Sequence, residues 1–270
     1  MIEQRQKGFR AVRVRTIGGN LTSAQLHSLA ELAEQYGKGQ VHITTRQSME
    51  IHWIAEGQLD GMLQKVHDLG LLPAVRGPMV LTTIACPGAS LCKKGICDTV
   101  ALTAKLNDCV VGREQPGKTK IAVSGCPNSC AKPQINDIGL HGVIIPETGD
   151  GCDGCNACIN VCKVDAISVQ NQIPCIDPEK CVWCGLCVRI CPKKALTVGK
   201  QGYAVYIGGK IGRKPMLGTK IFAVIPEQEA VPVVETILDT YRKLGRKGER
   251  LGDVIQRIGL DSFQQKMINN

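Results

Sequence analysis

Between residues 152 and 191 one cysteine pattern occurs twice, and it limits this chain more than any other feature. Residues 152–162 read CDGCNACINVC and residues 181–191 read CVWCGLCVRIC, so a spacing of two, two and three intervening residues recurs 29 positions later. The same offset aligns Ala166 with Ala195, Ile167 with Leu196 and Val169 with Val198. Each repeat therefore reads as a cysteine loop followed by a short buried strand. Eight thiolates acting as zinc ligands would leave the repeated triple spacing unexplained.

The chain holds 15 cysteines in 270 residues, with only 3% aromatics. That length allows one or two domains plus a small insertion. The N-terminus, MIEQRQKGFRAVRVR, carries no secretory apolar stretch, and no run reaches membrane-spanning length. The expected compartment is the cytoplasm, where closely spaced cysteines serve as metal ligands more often than as disulfides. The net charge of +9 is dispersed and lacks interleaved aromatics or a nucleic-acid-binding module. The expectation is no nucleic-acid and no membrane partner; a small anionic ligand accounts for local basic clusters equally well.

The duplicated run resembles the bacterial two-cluster ferredoxins, in which the fourth cysteine of each set ligates the other cluster. The resemblance implies one 4Fe–4S cluster on Cys152, Cys155, Cys158 and Cys191, and another on Cys181, Cys184, Cys187 and Cys162. Lys163 stands where a proline often follows the fourth cysteine, whereas Pro192 keeps it in the second repeat.

A separate group comes earlier: Cys86 and Cys92 in CPGASLC, and Cys126 and Cys130 in CPNSC. Four thiolates in two loops can hold a cubane cluster. A structural zinc site also takes four thiolates, but usually in tighter CxxC knuckles. Of the remaining cysteines, Cys97, Cys109 and Cys175 read as small buried apolar residues. The five histidines form no paired metal motif, and Gly18-Gly19 and Gly208-Gly209 match no phosphate-loop pattern.

Around these loops the pattern is α+β. Residues 11–16 alternate like a strand, and Thr22 with Gln25 forms a capping box for a helix that presents Leu26, Leu29, Ala30 and Ala33 and stops at a left-handed Gly37. Val41 and Ile43, then Met49, Ile51 and Trp53, read as two strands; Leu59, Met62, Leu63 and Val66 mark a second helix. This order suggests helices covering one face of an antiparallel sheet. Near the end, Pro232 stands near a helix start and precedes an apolar helical face of Val233, Val234, Ile237, Leu238, Tyr241 and Leu244.

Taken together, CPGASLC, SGCPNSC, the upstream ITTRQSMEIHWI and the downstream GGKIGRKPMLG resemble the sirohaem-dependent sulfite and nitrite reductase family, over most of the chain. The embedded ferredoxin run resembles its anaerobic and dissimilatory branches. The resemblance implies an α+β fold: a ferredoxin-like N-terminal domain (1–75), a sirohaem and 4Fe–4S domain (76–147 and 199–270), and an inserted two-cluster ferredoxin domain (148–198). It implies sirohaem and three 4Fe–4S clusters, with Cys86, Cys92, Cys126 and Cys130 holding the cluster coupled to the macrocycle and Cys130 bridging to its iron. Arg46, Lys118 and Lys120 match family positions around the bound anion, and Lys210, Arg213 and Lys214 are candidates for the sirohaem carboxylates. The implied reaction is reduction of sulfite toward sulfide, with electrons relayed from a donor protein or subunit through the ferredoxin clusters. Nitrite is the alternative substrate, and a non-catalytic electron carrier the alternative class.

Two departures stand out. Leu81 occupies a place where the family often has arginine, and nearby Arg76 is the candidate to take over its role. The chain also contains one half of what larger members contain twice, so a homodimer or close heteromer is expected to complete the site.

Overall fold

The structure is a computed structural model that describes residues 1–269; Asn270 lies outside the described residues. In chain order the elements begin β1 (Ile2–Glu3), β2 (Phe9–Arg15), α1 (Ser23–Tyr36), β3 (Val41–Ile43), β4 (Met49–Ala55), α2 (Leu59–Asp68) and β5 (Leu72–Pro73). They form an antiparallel sheet ordered β1-β2-β4-β3, with β5 also on β2. Val12, Val14, Ile51 and Ile54 of the sheet close against Leu29, Leu32, Met62 and Val66 of the two helices.

The expected capping box is present. The Gln25 N–H donates to Thr22 Oγ1 and the Thr22 N–H to Gln25 Oε1, both at 3.1 Å, fixing the start of α1. The buried face of α1 is rotated from the expected one: Leu29, Leu32 and Ala33 are buried, whereas Leu26 is 52% exposed and Ala30 is exposed. Gly37 ends the helix at φ −113°, so left-handed geometry is not its reason. A Cβ there would stand 2.6 Å from the His52 carbonyl oxygen; the left-handed glycine is Gly39, at φ +68°.

The elements that follow are β6 (Ile84–Ala85), α3 (Thr99–Cys109), β7 (Ile121–Ser124), β8 (Ile138–Thr148), α4 (Ala157–Val161), β9 (Ile167–Gln170), β10 (Ile173–Ile176), α5 (Leu186–Ile190), β11 (Leu196–Ile207), β12 (Thr219–Ile225), α6 (Ala230–Leu244), α7 (Leu251–Ile258) and α8 (Leu260–Ile268). A second sheet runs β12-β11-β8-β7-β6, parallel from β6 through β8 and antiparallel from β8 to β12. Its core joins Leu102 and Leu106 of α3, Val123 and Leu140 of the sheet, Val234, Ile237 and Tyr241 of α6, and Phe263 of α8. The apolar face expected after Pro232 is this buried face of α6. No helix among the described residues is long and apolar enough to cross a membrane.

The duplicated cysteine segment leaves the sheet at the end of β8 and returns at the start of β11, where Thr148 and Leu196 are direct neighbours. An insertion between two adjacent paired strand ends leaves the parent sheet intact. Its own core is small, centred on Cys158, Ile167 and Leu196. The aligned Ala166 and Ala195 are both buried, but Val198 is 47% exposed, so the two repeats diverge after the first strand residues.

Candidate metal and anion centres

The parallel strands β6 and β7 end side by side, and each leads into a cysteine loop. Cys86 and Cys92 follow β6; Cys126 and Cys130 follow β7. Loops at the carboxyl ends of parallel strands are the usual place for a ligand in such sheets. Cys86 Sγ accepts from the Gly125 N–H at 3.1 Å, tying the two loops together. Burial first, then the proximity of Cys86, Cys130 and Cys92, pushes the Cys126 thiol up, so the four sulfurs share one neighbourhood. Cys86 and Cys126 are half-buried, whereas Cys92 and Cys130 are exposed.

Local backbone explains how Cys130 is presented. Ser129 and Lys132, on either side of it, both adopt left-handed φ values of +54°, which bend the chain outward. Beneath it Gln134 Nε2 donates to Ser129 Oγ (2.9 Å), and Ser129 Oγ meets His141 Nδ1 (3.1 Å). Burial, with Lys220 nearby, drops the His141 pKa to about 4, so this imidazole is neutral at physiological pH. On the other side, Gly95 closes the Cys92 loop: a Cβ there would lie 2.5 Å from the Ala89 amide nitrogen.

The duplicated segment gathers its eight cysteines around two cavities. Cys162, Cys181, Cys184 and Cys187 line one; Cys152, Cys155, Cys158 and Cys191 line the other. These are the two crossed groups that the ferredoxin resemblance implies. Each cavity is lined by four cysteines, the donor set that a cubane takes. Backbone N–H groups also point at sulfur, from Ala166 to Cys162 (3.3 Å) and from Trp183 to Cys181 (3.4 Å). Hydrogen bonds of this kind tune cluster potential.

At the opposite end of β7 lies a group of cations. The Arg46 guanidinium donates to the carbonyls of Thr82 (2.8 Å) and Ile121 (3.2 Å) and to Asn136 Oδ1 (3.0 Å). Its Nε is buried without a partner, and burial lowers the Arg46 pKa to about 10. Lys118 is exposed and Lys120 half-buried. Burial first, then Arg46 and Arg250, holds the Lys120 ammonium below the usual lysine range. Sequence reasoning missed Arg250 and Asp137. Asp137, fully buried, takes a bidentate ion pair from Arg250 (2.9 and 2.6 Å) and accepts the Lys120 N–H at 2.8 Å. Burial pushes its carboxyl up, and Arg250 opposes that shift. The signal available was an acid heading the apolar run IGLHGVII, which demands a partner.

The structure thus brings Arg46, Lys118 and Lys120 together, and adds a cleft lined by Arg13, Arg76, Leu81 and Lys118. Arg76 therefore shares a cleft with Leu81, the position where a family arginine is missing. Lys210 is paired with Asp253, while Arg213 and Lys214 are exposed on an arm whose neighbours Ile211 and Leu217 are exposed apolar residues. The arm's base is bonded to the Gln134 carbonyl through the Gly218 N–H (2.7 Å). Of the three leftover cysteines only Cys97 is buried; Cys109 and Cys175 are exposed, against the expectation.

Comparison with known proteins bears on the family and the fold. Residues 76–270 match the family model described as nitrite and sulphite reductase 4Fe-4S domain, and residues 2–69 match the nitrite/sulfite reductase ferredoxin-like half domain. A coenzyme F420-dependent sulfite reductase of Methanocaldococcus jannaschii is 37% identical over 98% of this chain and 43% of its own length. One subunit of the anaerobic sulfite reductase of Salmonella typhimurium is 31% identical over 60% of this chain and 52% of its own. The chain thus spans about half the length of these two relatives. Among solved structures, dissimilatory sulfite reductase I superposes with a TM-score of 0.79 at 19% identity, over 96% of this chain and 69% of that one.

Proposed function

The chain belongs to the nitrite and sulphite reductase family, and on that premise we propose that it reduces sulfite toward sulfide at a sirohaem coupled through Cys130 to a 4Fe–4S cluster. The observation that carries this reading is the gathering of Cys86, Cys92, Cys126 and Cys130 at the ends of β6 and β7, with Cys130 on the outside. The fit extends to the macrocycle: the arm bearing Arg213, Lys214, Ile211 and Leu217 offers cations and apolar surface together, which suits an amphipathic polycarboxylate. Sirohaem, when bound, supplies the electron-rich iron that multi-electron reduction of a small oxyanion requires.

The chain's own residues do the rest. Arg46, Lys118 and Lys120 hold the anion by charge-assisted hydrogen bonds. Lys120, with its lowered proton affinity, gives up a proton more readily than a solvated lysine and serves as the proton source. Asp137 and Arg250 fix the Lys120 backbone so that the ammonium is aimed. Arg76 takes the place of the arginine absent at Leu81.

Twofold assembly is the commonest way for one chain to supply two halves of a site, and on this reading a homodimer or heteromer places the coupled centre on one chain and the cations on another. In the insert, the two four-cysteine cavities hold the relay clusters of a ferredoxin domain spanning about residues 148–198, fed by a donor protein or subunit.

The test combines two inactive variants. Cys130→Ala mixed with Lys118→Ala under subunit exchange restores sulfite reduction if the site is shared. No activity beyond either parent rejects it. Turnover of sulfite and nitrite at equal concentration separates the two substrates, since both are small anions that ask for the same cations.

A further inference from the structure

The two repeats of the insert are alike in backbone but not in how they meet the rest of the protein. Asn156 and Gly185, 29 residues apart, both open short helices in left-handed geometry, and Asp165 and Lys194 repeat the same conformation. Yet the hydrogen bonds that join the insert to the body come from the second repeat. The Trp183 carbonyl accepts the Ile144 N–H of β8 at 2.8 Å. Gly185 lies against the Ile144 side chain so closely that a Cβ would stand 2.8 Å from it. Val188 packs into both the insert core and the main core.

The fourth link is a charged side chain. Arg189, on α5 two residues after Cys187, donates through one guanidinium nitrogen to the Lys93 carbonyl (2.7 Å) and through the other to the Gly95 carbonyl (2.8 Å). Lys93 follows Cys92 directly, and Gly95 is the glycine whose close approach shapes that loop. In the first repeat the equivalent residue is Asn160, an exposed side chain. One arginine therefore spans from the helix of one four-cysteine cavity to the loop of the separate cysteine group.

We propose that Arg189 is a positioning residue for electron transfer, clamping the cluster of Cys162, Cys181, Cys184 and Cys187 onto the Cys92 loop. That cluster is then the one that reduces the coupled centre, and the cluster of Cys152, Cys155, Cys158 and Cys191 is the entry port. With clusters bound, Cys162, Cys181, Cys184 and Cys187 would hold the one that passes single electrons to the set on Cys86, Cys92, Cys126 and Cys130, and Cys152, Cys155, Cys158 and Cys191 the one refilled by a one-electron donor protein; no bond would form or break, and the Arg189 guanidinium keeps its proton. This inference rests on the cluster assignment proposed above.

The experiment uses the full chain, prepared anaerobically with its cofactors, as wild type, Arg189→Ala, Arg189→Lys and Asn160→Ala. Iron and labile sulfide are measured first, then hydrogen exchange at the Ile144 amide, then the rate at which reducing equivalents reach the coupled centre by rapid-freeze EPR. Arg189→Ala keeps its iron, exchanges Ile144 about tenfold faster, as expected for losing a pair of charge-assisted hydrogen bonds near the surface, and transfers electrons to the coupled centre more slowly by a similar factor. Arg189→Lys recovers part of both, and Asn160→Ala changes neither. Unchanged exchange and transfer in Arg189→Ala overturns the inference, as does loss of iron, which would make Arg189 structural. Wild-type protein without clusters in the insert would instead reject the functional reading.

Discussion

Replacing Arg250 by alanine strips the partner from a carboxylate whose side chain is 1% exposed. Asp137 is left with the Lys120 amide as its remaining strong donor, at 2.8 Å. Deleting one member of a buried ion pair costs about 3–5 kcal/mol, because the other charge stays desolvated. The Arg250 side chain is itself 21% exposed, so water reaches one edge of the pair and the lower end, about 3 kcal/mol, applies. For a chain of this size that corresponds to a fall in Tm of roughly 6–12 °C. The pH dependence follows from Asp137. Burial already raises its folded pKa above the unfolded value, and losing the guanidinium raises it further. A carboxyl raised in the folded state contributes stability that is fully present below its unfolded pKa and is lost as pH rises through its folded one. The deficit of Arg250→Ala is therefore largest near neutral pH and shrinks on acidification. Thermal unfolding followed by circular dichroism between pH 5 and 8 measures it, together with the double variant Asp137→Leu/Arg250→Leu, which should be more stable than Arg250→Ala. A deficit under about 1 kcal/mol, a deficit independent of pH, or a double variant worse than the single would refute the reasoning.

Further outcomes can be checked on the same protein. Cys155→Ser lowers non-haem iron by about four per chain while the coupled centre's EPR signal remains, whereas Cys86→Ser removes that signal and spares the insert. His141→Gln removes a stability loss seen on acidification: the wild-type imidazole, depressed from 6.5 to about 4, contributes stability that is full above pH 6.5 and disappears as pH falls through about 4. Comparing unfolding of the two proteins across that range gives the difference. Gly95→Ala forces the Cys92 loop open, since the new methyl meets the Ala89 amide at 2.5 Å, and should cost about 1–3 kcal/mol as well as iron from the coupled centre.

The ferredoxin resemblance grouped eight cysteines into two crossed sets, and the two cavities of the insert are lined by those same two groups. The capping box of α1 and the apolar face of α6 were readable because both are local. The errors came where tertiary packing decided. Leu26 and Leu32 lie about 120° apart around the helix, and only the placement of the sheet determines which is covered. Gly37 is required by the His52 carbonyl, an atom 15 residues away in sequence, and not by its own φ. Asp137 and Arg250, 113 residues apart, carry no shared motif, so their ion pair appears only once β8 and α7 are brought together. Arg189 was equally silent, being an ordinary exposed arginine until the Lys93 and Gly95 carbonyls are set beside it.

Every role proposed for these residues depends on the coupled centre. Sirohaem extracted from anaerobically prepared protein, made in a host that synthesises it, and quantified by absorption spectroscopy should come to about one per chain, together with about twelve non-haem iron atoms for three cubanes. Protein that carries its clusters but no sirohaem would contradict the account and leave an electron carrier.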